Sequence, residues 1–418
     1  MHTHTVDDSP TGWHTPVGDH HPAAPLLTAR AVRSHCAQIM ALAERDAAPH
    51  FTWHPEQLDA CATYVAATIR QQYPDLQVPY HSRWRHFEAG GIDRWGQLAK
   101  LHELSGAELA RTRIDLVIPS VLLDAGAGAD WRYVDHAYGM TLSRSEGLGV
   151  ASLALFESGA LSADPRHALR ADASALAKLT TATVAQAFQL DADNPLVGVQ
   201  GRTELLQRLG AVTAATPAVF GTPARLGNLY DYLAAHAVDG RIEAAFILTT
   251  LLRALGPVWP GRIQSHGVSL GDCWRCPDTD DGLLPFHKLT QWLTYSLLEP
   301  LEQAGLRITG LDQLTGLPEY RNGGLLLDFG VLVPRNAAFF TDHLHVDTPA
   351  VIEWRALTVI ALDRLAVVVR SKLGVSAADF PLARILEGGT WAAGRRIAAE
   401  RRPGGPPPVT IVSDGTVF

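Results

Sequence analysis

The stretch TPAVIEWRALTVIALDRLAVVVRSKL (348–373) decides the fold class. Thr348 offers a side-chain oxygen suited to an N-cap. Pro349 fits a first helical turn, where its missing N–H leaves nothing unpaired. The rest of the stretch is apolar nearly all round, the pattern of a helix buried in a large core rather than one lying on its surface. Its most apolar part, 356–369, is broken by Asp363 and Arg364 and is too short to span a bilayer. Glu353 and Arg355 on such a helix must either pair internally or project into a site.

Working outward, the helical period recurs. Thr28 precedes Val32, Cys36, Ile39, Met40 and Ala43; Pro55 precedes Leu58, Cys61, Val65 and Ile69. Further helical patterns fall around 97–110, 148–160, 172–190, 201–210, 226–239, 242–255 and 285–302. Strand candidates are few: 114–123, 325–333, and a small hairpin over 409–417 around Asp414-Gly415. The expected fold is mostly α with minor β. Residues 1–25, rich in His, Pro, Thr and Asp, read as a flexible tail in which His2, His4, His14, His20 and His21 are incidental. Residues 26–418 are expected to form a single catalytic domain, with room for two intimately packed helical lobes (26–270 and 271–418), and 401–408 reads as a Gly/Pro-rich surface crossing.

With 418 residues, 47% hydrophobic and 19% charged, the chain can bury a sizeable core and is not globally disordered. A net charge of −8 argues against a general nucleic-acid binder. Four cysteines do not make a disulfide framework, and the N-terminus has no export signal, so a reducing cytoplasm is expected and no membrane association. Cys36 and Cys61 sit on helical stripes as small hydrophobes. Cys273-Trp274-Arg275-Cys276 has metal-like spacing, but its only tempting partners are His343 and His345, and no second CxxC exists. No G-x-S-x-G elbow is present.

Polar residues gather in a few segments. HSRWRHFEAGGIDRW (81–95) holds three arginines and two histidines beside glycines, donors suited to a phosphate or to a surface ion-pair network. LLDAGAGADWRY (122–133) contains a small-residue loop between Asp124 and Asp130, where a ligand can approach backbone closely. RSEG (144–147) precedes an apolar helix that Ser145 and Glu146 can cap. In PFHKLTQWLTY (285–295), Lys288, Gln291, Trp292 and Tyr295 share one helical face. In LTGLPEYRNGG (314–324), Glu319 sits on a tight turn, well placed to act as a base or to stabilise a cation.

Taken in order, YHSRWRHFEAGGIDRW (80–95), SVLLDAGAGADWRY (120–133), SRSEGLGVASLALF (143–156), PFHKLTQWLTYSLLEPL (285–301), LTGLPEYRNGGLLLD (314–328) and SDGTVF (413–418) resemble the uracil-catabolism protein four family, formerly a domain of unknown function. That family is associated with salvage of nitrogen from uracil through a ribosyl-urea type intermediate. A more distant similarity over 286–355 is to the queuosine salvage nucleotide N-glycosidases, whose fold is a helical, helix-hairpin-helix DNA-glycosylase-like one. Their phenylalanine-x-lysine helix start is matched by Phe286 and Lys288. Their alanine-aspartate-tyrosine-arginine turn is matched by Pro318, Glu319, Tyr320 and Arg321, with glutamate in place of the catalytic aspartate. Their glutamate-isoleucine-arginine helix is matched by Glu353, Trp354 and Arg355. Their base-cradling aromatic loop is absent; the comparable loop here is 124–131.

These resemblances imply a hydrolase that cleaves the N-glycosidic bond of a ribosyl-urea carrying a 5′-phosphate. The expected products are urea and ribose phosphate. Breaking that bond builds positive charge on the sugar, and Glu319 is the carboxylate expected to face it. Asp124, Asp130 and Lys288 are the candidates to protonate the leaving group or hold its oxygen. Arg83, Arg85 and His86, with His81 beside them, are expected to hold the phosphate, helped by Arg321 or Arg355. Glu353 is expected to orient an arginine, and Trp131, Trp292 and Tyr320 to line the substrate. No metal or cofactor enters this scheme, and the only partner expected is the small ribosyl substrate. Two other functions fit the same residues: an amidohydrolase acting on the ureido group, and a non-catalytic nucleotide-binding regulator.

Overall fold

The computed structural model describes residues 6–7, 17–124, 126–128, 130–259 and 263–412. The longer helices are α1 (Ala29–Glu44), α2 (Leu58–Gln72), α3 (Arg94–Leu101), α4 (Gly106–Leu122), α5 (Arg144–Glu157), α6 (Val199–Ala214), α7 (Ala244–Leu255), α8 (Lys288–Gln303), α9 (Tyr320–Asp328), α10 (Pro349–Leu373) and α11 (Ala392–Arg401). The chain is mostly helical, with strands of two or three residues in small sheets. Among the described residues, no helix is long and apolar enough to cross a membrane.

Helix α10 starts at Pro349 and stops at Gly374, whose φ of 73° closes the C-terminus in the left-handed conformation. It is buried along most of its length and packs against α1, α2 and α9. α1 begins where Thr28 Oγ1 accepts a hydrogen bond from Ala31 N at 3.0 Å. Cys36 and Cys61 are fully buried on α1 and α2, and burial pushes both thiols up.

Two strand expectations are corrected. Residues 114–123 belong almost wholly to α4, a helix buried on most sides, and such a run looks the same in either period. Residues 325–333 divide: α9, capped by Glu319, runs to Asp328, and only Leu332–Pro334 is a strand, antiparallel to Phe51–Trp53. At the C-terminal end, Thr410–Val412 pairs in parallel with His343–His345, a partner distant in sequence. The Asp414-Gly415 turn lies outside the described residues, as do His2, His4 and His14 of the N-terminal stretch. Within that stretch, Val6–Asp7 pairs with Gln264–Ser265, and Ala23 and Ala24 are buried.

The start of α8 also differs from its expected position. Pro285 ends a strand that pairs with Cys273–Arg275, and the helix begins at Lys288 after His287, whose φ of 49° turns the chain. α8 packs against α4. Its Gln291 and Tyr295 face inward: Gln291 Oε1 accepts from Thr315 N at 2.9 Å, and Tyr295 donates to Thr315 O at 2.9 Å. These bonds fix the turn that carries Glu319 beside Lys288 and Trp292.

Candidate active site

A cavity of about 510 Å³ is lined by His81, His86, Asp124 and 126–128, Arg144 and Ser145, Lys288 and Trp292, Leu317 and 319–321, Trp391, and, near the C-terminus, Pro406, Pro407 and 409–411. The first turns of α5, α8 and α9 all border it. Helix starts carry the positive end of the peptide dipoles, which favours an anion; the first N–H groups of α8 and α9 are already met by Asp272 and Glu319. A second cavity, of about 560 Å³, is lined largely by alanine and glycine, and its Arg170 is already paired with Asp172 at 3.0 Å.

Glu319 is half-buried. Its carboxylate accepts from Arg321 N at 2.7 Å and Asn322 N at 2.5 Å, which caps α9. Burial raises its pKa, and the two N–H groups and the charge of Lys288 partly offset that. Burial in turn lowers the Lys288 ammonium, with Glu319 opposing the shift. A carboxylate and an ammonium thus share a partly desolvated space, where charge is felt more strongly than in water.

Arg83 is fully buried behind the cavity wall. Its guanidinium pairs with Asp124 at 2.8 Å and donates to Ser120 Oγ at 2.7 Å, to Ser145 O at 3.2 Å and to His86 Nδ1 at 3.2 Å. It therefore ties three lining segments together instead of meeting a phosphate. Burial, then the charge of Arg83, holds the His86 pKa well below its ordinary value. A neutral His86 that accepts at Nδ1 carries its proton on Nε2, an assignment set by the hydrogen-bond network.

Other expected site residues lie away from the cavity. Arg85 is held by Glu299 at 2.9 Å and Glu88 at 3.1 Å. Glu353 accepts from His50 N at 3.1 Å and Phe51 N at 2.9 Å, joining α10 to the Phe51–Trp53 strand. Asp130 is exposed and outside the lining. Trp131 is fully buried and donates to Phe188 O at 3.0 Å. Arg355 forms a two-pronged pair with Asp272 at 2.9 and 2.8 Å and lies over the Phe286 ring at 4.1 Å. Asp272 also accepts from Lys288 N at 3.0 Å and Trp274 Nε1 at 2.7 Å, so the pair braces the start of α8 from behind.

Arg144 and Trp391 are lining residues that escape a reading of the sequence. Arg144 is exposed at the cavity with φ of 54° and makes no ion pair among the described residues. Its segment stands out in the sequence, but for helix capping by its neighbours. Arg321 donates to Gly405 O at 3.1 Å; burial lowers its pKa, and the nearby charges of Arg395 and Arg144 add to that. Trp391 comes from a π-helical turn, Leu386–Trp391, which leaves no periodic signature. Cys273 and Cys276 are buried free thiols, whereas His343 and His345 are exposed on a different sheet. Among the described residues, no group of three or more His, Cys, Asp or Glu side chains is placed to share a metal ion.

The chain is similar to two curated proteins over nearly its whole length. It is 39% identical to Protein urg3 of Schizosaccharomyces pombe (strain 972 / ATCC 24843) over 406 residues, 94% of this chain and 98% of that protein. It is 39% identical to Uracil catabolism protein 4 of Lachancea kluyveri over 409 residues, 88% of this chain and 92% of that protein. Residues 25–418 match the family described as Protein of unknown function (DUF1688), and the chain belongs to that family.

Proposed function

We propose that the chain acts in uracil catabolism as an N-glycosidase, hydrolysing a ribosyl-urea 5′-phosphate to urea and ribose 5-phosphate. The name of one relative supports the pathway. One observation carries the chemistry: Glu319 and Lys288 share a cavity with Arg144 and Arg321, at the convergence of three helix starts.

In this scheme the phosphate sits against Arg144, Arg321 and the first turn of α5, which replace the Arg83 and Arg85 cluster expected from sequence. Glu319 faces the sugar. As the C1′–N bond lengthens, its carboxylate stabilises the oxocarbenium charge and accepts a proton from the attacking water. Lys288 and the His86 Nε2–H are donors for the ureido oxygen. Asp124, neutralised by Arg83, holds the loop that closes this side.

The test is to incubate the purified protein with synthetic ribosyl-urea 5′-phosphate and to assay urea, ammonia and reducing sugar. Stoichiometric urea and sugar, lost in Glu319→Gln, is the expected result. Ammonia without free sugar replaces the proposal with cleavage of the ureido group. Tight binding without turnover replaces it with a binding protein.

A further inference from the structure

His81 sits in the segment that sequence patterns assign to phosphate binding, yet its surroundings are those of a proton-transfer group. It is buried, 6% exposed, and lines the cavity. Its Nδ1 lies 2.7 Å from Glu387 Oε2, and Glu387 is itself largely shielded. The His81 backbone N–H donates to Ala383 O at 3.0 Å, which fixes the residue against the chain just before the π turn. The imidazole lies 5.8 Å from the Trp391 ring and 6.3 Å from the Trp292 ring. Two tryptophans thus border the ring, and one nitrogen is committed to a carboxylate.

Glu387 and Trp391 both come from the π turn. They are four apart, a spacing that puts two side chains on one side of a helical turn. Gly388 and Gly389 let it pack: a Cβ on Gly388 would meet Val78 at 2.9 Å, and one on Gly389 would meet Val65 at 2.9 Å. An ion pair that served only to hold the chain together would not need its histidine to face a cavity.

We propose that His81, oriented by Glu387, is the acid that protonates the departing nitrogen. This rests on the N-glycosidase function. The C1′–N electron pair stays on nitrogen as the bond breaks, and Nε2–H of the imidazolium supplies the proton, so neutral urea leaves. Water adds to C1′ and gives its proton to Glu319. His81 ends neutral and Glu319 protonated, and exchange with solvent resets both. The charged and titratable groups around His81 are Glu387 on the π turn, His86 on the Trp84–Phe87 turn and Glu319 at the α9 cap. Glu387 is a positioning residue; His81 is the catalytic one.

The test compares two substrates, ribosyl-urea 5′-phosphate and 4-nitrophenyl β-ribofuranoside 5′-phosphate, whose leaving group departs without a proton. His81→Asn is expected to lose about 10²–10⁴-fold on the first and less than about tenfold on the second. Glu319→Gln is expected to lose activity on both. Glu387→Gln is expected to move the alkaline limb of the rate on the first substrate to lower pH, with Glu387→Asp restoring part of it. Equal losses on both substrates in His81→Asn overturn the assignment, as does a Glu387→Gln profile lowered uniformly at every pH. A wild-type protein that cleaves neither substrate overturns the N-glycosidase function itself, and the acid role with it.

Discussion

Glu319 does two things through one carboxylate: it caps α9 and it faces the cavity. The two can be separated by substitution. Glu319→Ala removes the cap and is expected to cost about 1 kcal/mol of stability. Glu319→Gln keeps an acceptor oxygen and is expected to cost less, measured by urea denaturation. Both should abolish urea release, so activity and stability will not track each other. A second residue-scale prediction concerns Glu353. Burial pushes its carboxyl up to about 7, against backbone N–H groups that lower it. Its folded pKa exceeds its unfolded one, so the protonated form favours folding. That contribution is full below about 4.5 and is lost as pH rises through about 7. Thermal midpoints of wild type should therefore fall, relative to Glu353→Gln, across that window; parallel profiles would show that Glu353 does not titrate there. At this scale Glu319, Lys288, Asp124, His81, His86, Trp292, Tyr320 and Arg321 were legible in the sequence, and they line one cavity. Arg83, Arg85, Arg355 and Glu353 lie outside the lining, each engaged by partners within the protein. Partners such as Asp272 and Glu299 lie far along the chain, where nothing local announces them, although Arg85 also has Glu88 three residues away.

Among the elements, long helices were legible because a 3.6-residue period with a cap survives any tertiary context. α1, α2 and α10 begin where Thr28, Pro55 and Thr348 suggest, to within a turn. α4 was not legible as a helix, because burial on most sides erases the polar half of the pattern. The π turn at Leu386–Trp391 was also hidden, since it leaves no periodic signature, and its Gly388 and Gly389 pack closely on neighbouring side chains. That packing makes a prediction. Gly389→Ala places a methyl against Val65 and Ile69, at 2.9 and 3.0 Å, and overpacking of this kind costs about 1–3 kcal/mol. The turn is expected to shift, carrying Glu387 away from His81. The rate on ribosyl-urea 5′-phosphate should then fall more than the folded fraction does. If instead the rate tracks the folded fraction, the turn's width has no bearing on the site.

At the scale of the whole molecule, the cavity is closed by chain that arrives last. Pro406, Pro407 and 409–411 line it, and Thr410–Val412 is held by a parallel pairing with His343–His345. The chain leading there is anchored separately: Arg402 pairs with Asp328 at 2.6 Å, and Arg321 donates to Gly405 O at 3.1 Å. Of 409–412, only Val409 is buried, so these residues contribute little to the core. Replacing residues 409–412 with glycine is therefore expected to lower the thermal midpoint by only a few degrees, by the loss of about one buried side chain. Its effect on catalysis should be larger. Opening one wall admits water beside Glu319 and Lys288 and weakens their hold on a charged substrate, because the same charges interact less in a higher dielectric. KM for ribosyl-urea 5′-phosphate should rise about tenfold or more, with salt sensitivity increasing as the cavity becomes solvated. A glycine-substituted protein that unfolds would place this strap in the core instead, and one with unchanged KM would show that the wall takes no part in holding the substrate.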